Sequence, residues 1–299
     1  MSVRPLLWLG AERGYLSDWV TQRWVASTGR RVDVARDSWL DAPVGGTSGI
    51  GRDFFLRFAE EQGLEVRRNA VAGLIVDFDQ LRSDDFDPTA VHPAVAAFYR
   101  ETSAFDMDAW SEWCRPFRPF GWLLAFLFSR RLQQLNVPIS ALDTSRGITS
   151  EVLQLVEPHT GIVRCTAWVR ELVGSRNVLY AGSYSVCRVP GHPGPCIRVA
   201  FPLPNGNALV IMKPQAHHDG SFTVSSSGMR FGDPGFYFTV QTRKGVVARY
   251  LRSLRESIHV FAGDDVDVRA DHVLTLWGAR FLRLHYRLRR RPAEVADSP

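Results

Sequence analysis

The sequence predicts an α+β protein: a helical N-terminal portion followed by a large, strongly curved or barrel-like antiparallel β meander of nine to ten strands. Three observations carry that expectation. Long runs of helical apolar spacing fall before Leu135, whereas beyond Gly147 the chain breaks into short segments rich in Val, Ile, Phe, Tyr and Thr. Each of those segments is bounded by Gly, Pro, Asn or Asp. Asn205-Gly206 and Asp219-Gly220 each stand between two apolar runs, where a tight hairpin turn calls for positive φ, and strands joined this way are antiparallel neighbours.

The elements follow in order. Leu16, Trp19, Val20 and Trp24 recur at helical spacing, as do Phe54, Phe55, Phe58 and Ala59 before a stop at Gly63, so residues 1–76 read as a small mixed N-terminal segment. Residues 77–92 carry Asp77, Asp79, Asp84, Asp85 and Asp87 against Arg82 alone and read as an acidic, exposed connector. Residues 93–146 read as a helical segment packing on the sheet. Val95, Phe98 and Tyr99 restart a helix at Pro93, and residues 120–135, after Pro116 and Pro119, are apolar on every face at their centre. Arg115 and Arg118 before that stretch and Arg130 and Arg131 after it are the flanks of an interfacial membrane anchor. An apolar centre of only about ten residues also suits a helix laid on a sheet.

Residues 147–291 read as the antiparallel β domain, with strands at 148–157, 162–173, 177–188, 196–203, 207–213, 220–227 and 235–242. Residues 246–261 read as a helix through Val247, Tyr250, Leu251, Leu254, Ile258 and Phe261, with 258–262 as a strand at its end. Two last strands flank Gly278 and place Leu282, Leu284, Tyr286 and Leu288 on one face, Arg283, His285 and Arg287 on the other. Residues 292–299 read as a disordered tail. A sheet of this size curls or closes, because open edges invite aggregation and one apolar face must be covered. Since a meander needs no distant strand to pair, residues 148–288 are expected to be the stable core and the first 75 or so dispensable for its folding.

Composition limits the function classes. The chain has 299 residues, 45% apolar and 22% charged, which excludes overall disorder. It holds no apolar run of the roughly 18 residues a spanning helix needs, and the apolar run at residues 5–9 is too short for a secretory leader, so a cytoplasmic location is expected. The net charge of +5 splits into about −2 for residues 1–150 and +7 for the rest, too mild to call for a nucleic-acid partner. Four cysteines, Cys114, Cys165, Cys187 and Cys196, are too few for a disulfide framework and read as reduced thiols.

Most motifs have a bland reading. GGTSGIG at 45–51 resembles a dinucleotide-binding turn, but no buried strand precedes it and no Tyr stands four residues before Lys213 or Lys244, so no cofactor is expected. Cys187, His192 and Cys196, with Cys165 nearby, could hold zinc, or Cys187 and Cys196 could form a disulfide; the spacing lacks a close C-x2-C knuckle, and zinc is expected to be absent. His217-His218-Asp219 precedes a turn glycine and reads as exposed, and Asp271-His272 is no dyad if both lie on one strand. Glu256 and His259, the catalytic candidates, would share a face only in a helix. No Gly-x-Ser-x-Gly elbow, P-loop or H-E-x-x-H occurs. Polar residues alternate along the strands: Tyr180, Tyr184 and Arg188; Thr166, Trp168 and Arg170; Tyr237 and Gln241. Should these faces line a cavity, it is apolar with scattered hydrogen-bonding groups, and Tyr184, Tyr237, Tyr180 and Trp168 are its expected ligand contacts.

At FYRETSAFD, SRRLQQLNVP, FPLPNGNA, FGDPGFYF and LWGARFLRLHYRL the chain resembles a recurring type of actinobacterial protein with no defined reaction, over residues 85–288. In outline, a helical lead-in before a large antiparallel sheet is similar to lipocalin-like and helix-grip ligand-binding folds. The long closing helix of the helix-grip version is missing, which favours the barrel-like version. With nine Trp, seven Tyr and 18 Phe, the expected function is binding of a hydrophobic small molecule, of lipid, polyketide or terpenoid type, in a β-barrel-like cavity. The alternatives are a cofactor-independent cyclase or isomerase using Glu256, and a peripheral membrane or scaffold protein held through residues 116–135. The oligomeric state is left open.

Overall fold

The structure, a computed structural model, describes residues 16–46, 50–69, 71–114, 148–173, 178–263 and 267–291. The protein is mostly antiparallel β. Its helices are α1 (Leu16–Thr28), α2 (Phe54–Glu61) and α3 (Pro93–Arg100). Before the main sheet run come β1 (Arg30–Val32), β2 (Glu65–Arg67) and β3 (Phe105–Trp113). The run itself is β4 (Ile148–Val156), β5 (Val163–Leu172), β6 (Val178–Cys187), β7 (Cys196–Leu203), β8 (Gly206–Ala216) and β9 (Phe222–Ser225). It continues through β10 (Phe236–Thr242), β11 (Gly245–Leu251), β12 (Leu254–Ala262), β13 (Val268–Leu276) and β14 (Ala279–Arg290).

All fourteen strands belong to one branched sheet. Its main path runs β2-β4-β5-β6-β7-β8-β9-β12-β13-β14-β3, and no ladder joins the two ends among the described residues, so the sheet is not closed. The branch point is β8, long enough to serve two partners. Its first half pairs β10 (Phe238↔Ala208) and its last residues pair β9 (Pro214↔Val224), while its other edge pairs β7 from Gly206 to Met212. β11 and then β1 extend the β10 side. The sheet thus divides into a first arm, β4–β8 with β10 and β11, and a second arm, β9, β12, β13, β14 and β3.

Turn chemistry places the hairpins. Asn205 takes φ 59°, a conformation Asn tolerates, and Gly220 takes φ 78°. Gly206 is required for space instead: a Cβ there would lie 1.9 Å from the Thr239 carbonyl oxygen of the neighbouring strand. Trp277 and Gly278, at φ 50° and 83°, form the tip between β13 and β14 and leave the Trp ring exposed.

The outer face of the first arm is covered by the N-terminal residues. Phe54, Phe55 and Ala59 of α2 pack on Leu153, Leu155, Ala167 and Val169. Trp39 and Leu40, in a short 3-10 turn (Ser38–Leu40), pack on Ala200, Leu209, Ile211 and Tyr237. Arg198 fastens this turn by donating to the carbonyls of Ser38 and Trp39. Residues 77–92 carry exposed Asp79 and Asp87 paired with Arg82, while Phe78, Leu81, Phe86 and Val91 sink into the core.

Three expectations need correction. The strand count exceeds nine to ten because β1, β2 and β3 are short or polar and β11 lay hidden in an apparent helix. Residues 246–261 form no helix; they are the β11–β12 hairpin, since apolar spacing of three and four also fits two short strands around a turn. Residues 105–113, placed by sequence in a helical segment, are β3, whose Phe105, Met107 and Ala109 alternate with Asp106 and Asp108 in a strand's period. The apolar stretch at 116–135 lies outside the described residues.

Candidate functional site

The inner faces of the two arms bound a cavity of about 780 Å3. Strict alternation supplies its lining. From the first arm come Trp168 and Arg170 of β5, Tyr180 and Tyr184 of β6, Val199 and Phe201 of β7, and Val210 and Met212 of β8. From the second come Glu256 and Ile258 of β12, Ala270 and His272 of β13, Leu284 and Tyr286 of β14, and Met107 of β3. Phe98 and Tyr99 of α3 add aromatic lining, backed by Phe78, Phe86 and Phe222 with ring centroids 5.2–5.7 Å apart around Tyr99 and Phe222. Helix α3 is positioned by Pro at its first turn and by the His92 ring, which accepts from the Ala94 amide.

The polar side chains of this largely aliphatic and aromatic cavity fall into two groups, Asp18, Thr21 and Gln22 on α1 and a larger set on the facing strands. Trp168, Gly182 and Val152 are register neighbours, and Trp168 Nε1 donates to Ser150 Oγ at 2.7 Å. On β6 the hydroxyl of Tyr180 donates to that of Tyr184 at 2.9 Å. Two strand residues four apart meet like this because Gly182 lies between them: a Cβ there would stand 3.0 Å from the Tyr180 hydroxyl and 3.1 Å from the Phe201 ring. Across the cavity, Glu256 Oε1 lies 2.7 Å from His272 Nε2, both nearly buried, though out of line for a straight hydrogen bond. They belong to adjacent strands and sit diagonally, since Ile258 is the register partner of His272.

Arg170 joins the arms. It is 8% exposed, and its guanidinium lies 4.4 Å from the Trp168 ring, 4.7 Å from Tyr180 and 5.8 Å from Tyr286 on β14. Its Nη1 reaches Met107 Sδ on β3 at 2.7 Å, and its Nε has no hydrogen-bond partner. Burial pushes the hydroxyls of Tyr180, Tyr184 and Tyr286 above the usual tyrosine range. Arg170 pulls each of them back and the Glu256 carboxylate pushes each further up, so the five groups share one electrostatic environment. Such an arrangement can hold an apolar body, orient one polar end, and present neutral phenols as hydrogen-bond donors at physiological pH.

Of the residues expected from sequence, Tyr184, Tyr180 and Trp168 face this cavity. Tyr237 does not. It lies on the outer face of β10, fully buried against Trp39 and Phe231, with its hydroxyl donating to the Asp233 carbonyl and accepting from the Gly232 amide. Glu256 and His259 are separated: on a strand, three residues apart means opposite faces. His259 points outward, its Nδ1 2.9 Å from Thr223 Oγ1, which is 2.8 Å from His217 Nε2. Asp271 likewise turns from its neighbour His272 and meets His285 at 2.7 Å. Cys187 and Cys196 are cross-strand register partners, reduced and beneath the Trp39 cover, and Cys165 belongs to the separate patch under α2. His192 sits in the intervening loop, and among the described residues no three potential ligands converge on a metal position.

Sequence reasoning placed Arg170 on a face that could line a cavity without counting it a ligand contact, and it missed His272 and Tyr286 as members of the site. The signal for Arg170 was present in its alternation with Thr166 and Trp168 on one face of β5. His272 and Tyr286 need the β12–β13–β14 register before they can be joined to Glu256.

No family model matches the chain, and no solved structure matches it. The chain is 30% identical over 240 residues, 79% of its length, to a Bacillus subtilis (strain 168) protein named "Uncharacterized membrane protein YndJ". It spans 41% of that relative's length. Among the described residues no helix is long and apolar enough to cross a membrane.

Proposed function

We propose that the protein binds a predominantly apolar small molecule, of lipid, polyketide or terpenoid type, in the cavity between the two arms of a curved, barrel-like sheet. The observation that supports this reading is the cavity itself: about 780 Å3, aliphatic and aromatic over most of its lining, with Arg170, the tyrosines, Glu256 and His272 as its larger polar group. Small-molecule pockets have this size and this division between an apolar wall and a few convergent polar groups, whereas an ordinary core is filled to crystal density. A fluorescent polyene fatty-acid probe is expected to bind at micromolar levels, with one probe per chain. Native mass spectrometry of protein purified from its own host is expected to carry a copurifying apolar mass. Absence of both would overturn the reading.

The Glu256–His272 approach of 2.7 Å favours a second reading, a cofactor-independent isomerase or cyclase acting on the bound molecule. A carboxylate beside an imidazole can accept a proton from carbon, and the Tyr180 and Tyr184 phenols can hydrogen-bond an oxygen that gains charge. Conversion of the copurified molecule, abolished in Glu256→Gln with probe binding intact, separates catalyst from carrier.

A further inference from the structure

Resting on the reading of the cavity as a ligand site, we infer that the ligand carries a single carboxylate and that Arg170 is its receptor. The inference starts from the cost of Arg170. A guanidinium removed from water is unfavourable by several kcal/mol unless paired, and buried arginines are normally held by carboxylates. Among the described residues no carboxylate lies within ion-pair reach of Arg170. The acid nearest in function, Glu256, is engaged with His272. What surrounds the cation is neutral: the rings of Trp168, Tyr180 and Tyr286, the Tyr286 hydroxyl, and the Met107 sulfur, a weak acceptor. The unpartnered Nε belongs to a side chain that lines the cavity and is more than nine-tenths buried.

The chemistry narrows the head group. Arg170 and His272 are the cationic or basic side chains among the lining residues, and Arg170 is the one with no carboxylate within ion-pair reach among the described residues. A planar guanidinium edge matches the two oxygens of a carboxylate. A phosphate monoester would bring a second negative charge into an apolar cavity that already holds the Glu256 carboxylate, with no further cation to meet it. The apolar wall, from Val199 and Val210 to Ile258 and Leu284, suits an aliphatic or polyene chain, with Asp18, Thr21 and Gln22 as further polar residues of the lining. Tyr184 and Tyr286 stand beside the same charge, as their electrostatic coupling to Arg170 indicates, and can donate to a carboxylate oxygen that the guanidinium holds.

The test compares head groups on one chain. The full-length protein, stripped of lipid on a hydrophobic resin, is titrated at pH 8 with dodecanoate, dodecanol, methyl dodecanoate and dodecyl phosphate in competition with the fluorescent probe. Dodecanoate is expected to bind about tenfold or more tightly than the alcohol and the ester, the gain of one charge-assisted contact, and more tightly than the phosphate. Arg170→Met keeps the apolar packing against Trp168 and Tyr286, and is expected to bring acid and alcohol within about twofold while alcohol affinity holds. Equal affinities for acid and alcohol in the native chain would overturn the inference and leave the apolar-ligand reading standing. So would a preference surviving in Arg170→Met, or a phosphate that binds more tightly. Failure of every compound, probe included, would overturn the ligand reading itself. The native comparison requires no variant, so misfolding of Arg170→Met leaves the test intact.

Discussion

Tyr184 and Tyr237 are both strand tyrosines of the first arm, and the sheet gives them opposite fates. Tyr237 faces outward into a packed layer where Trp39 and Phe231 meet its ring edge-on and backbone groups satisfy its hydroxyl. Tyr184 faces inward, where its hydroxyl is met by another tyrosine and open volume lies beside it. The two faces of one sheet therefore differ in kind. The outer face is closed by the protein's own N-terminal side chains, while the inner face borders a cavity with polar side chains in its lining. Native interiors are close-packed, so a retained cavity with converging polar side chains is the feature that calls for a functional explanation.

The largest effects are expected on the outer face. A fragment spanning residues 85–291 would lose α2, the Trp39 turn and strands β1 and β2, leaving Leu153, Val169, Leu209 and Ile211 uncovered. It is expected to be insoluble where the full chain is soluble, opposite to the expectation from sequence that the N-terminal residues are dispensable. Trp39→Ala and Phe55→Ala, each creating a cavity in that layer, are expected to cost about 3–5 kcal/mol in urea unfolding. Probe affinity should be unchanged at temperatures where both variants remain folded. A soluble, cooperatively unfolding fragment would show that the two faces do not depend on each other.

Exchanging the roles of the tyrosines sharpens the contrast. Tyr237→Phe leaves the Gly232 amide without its acceptor in a buried site, an expected cost of about 1–3 kcal/mol, and should leave the probe affinity alone. Tyr184→Ala should weaken the probe by about tenfold with a smaller loss of stability, because the ring borders open volume rather than a filled layer. Gly182→Val places a branched side chain between Tyr180 and Phe201, and is expected to separate the tyrosine pair and reduce probe binding. Equal stability losses from Tyr184→Ala and Tyr237→Ala would mean that the inner face is as filled as the outer.

Local patterns made much of the fold legible. The helices beginning at Leu16, Phe54 and Pro93, and the strands from β4 to β10, carry both their periodicity and their turn residues in the sequence itself. What escaped was non-local. β3 is polar and pairs with β14 across more than 160 residues, and β1 and β2 are three residues each and gain strand form only from their neighbours. The site was half legible for the same reason. Alternation identified Trp168, Tyr180 and Tyr184, but a one-residue difference in parity decides whether a tyrosine faces the cavity or the packed layer, and for Tyr237 only the ladder to β8 fixes it. Glu256 was singled out for a helical partner, His259, whereas its actual neighbour His272 lies on the adjacent strand.

The last expected effect concerns pH, where the buried thiols of the outer face titrate before the buried tyrosines. On the outer side, burial under α2 pushes the Cys165 thiol up to about 11, against the opposing pull of Arg198 and a hydrogen bond with Ser183. Burial likewise pushes Cys187 up to about 11. A thiol raised in the folded state favours the neutral form there. Its contribution to stability is complete below the unfolded-state value near 9, and is lost as the pH rises toward 11 and the unfolded chain ionises first. For a shift of this size the loss is on the order of 2 kcal/mol per buried thiol. The buried tyrosines of both faces, Tyr237 included, enter the same balance only above about pH 10, from their higher ordinary value. Urea midpoints should therefore be flat from pH 7 to 8.5, decline between 9 and 11, and steepen beyond as Tyr180, Tyr184, Tyr237 and Tyr286 join. Cys165→Ala adds a constant cavity cost at every pH but is expected to shrink the decline between 9 and 11. A decline of the same size in that variant would mean that the layer under α2 already admits water, and that the outer face is less closed than its packing implies.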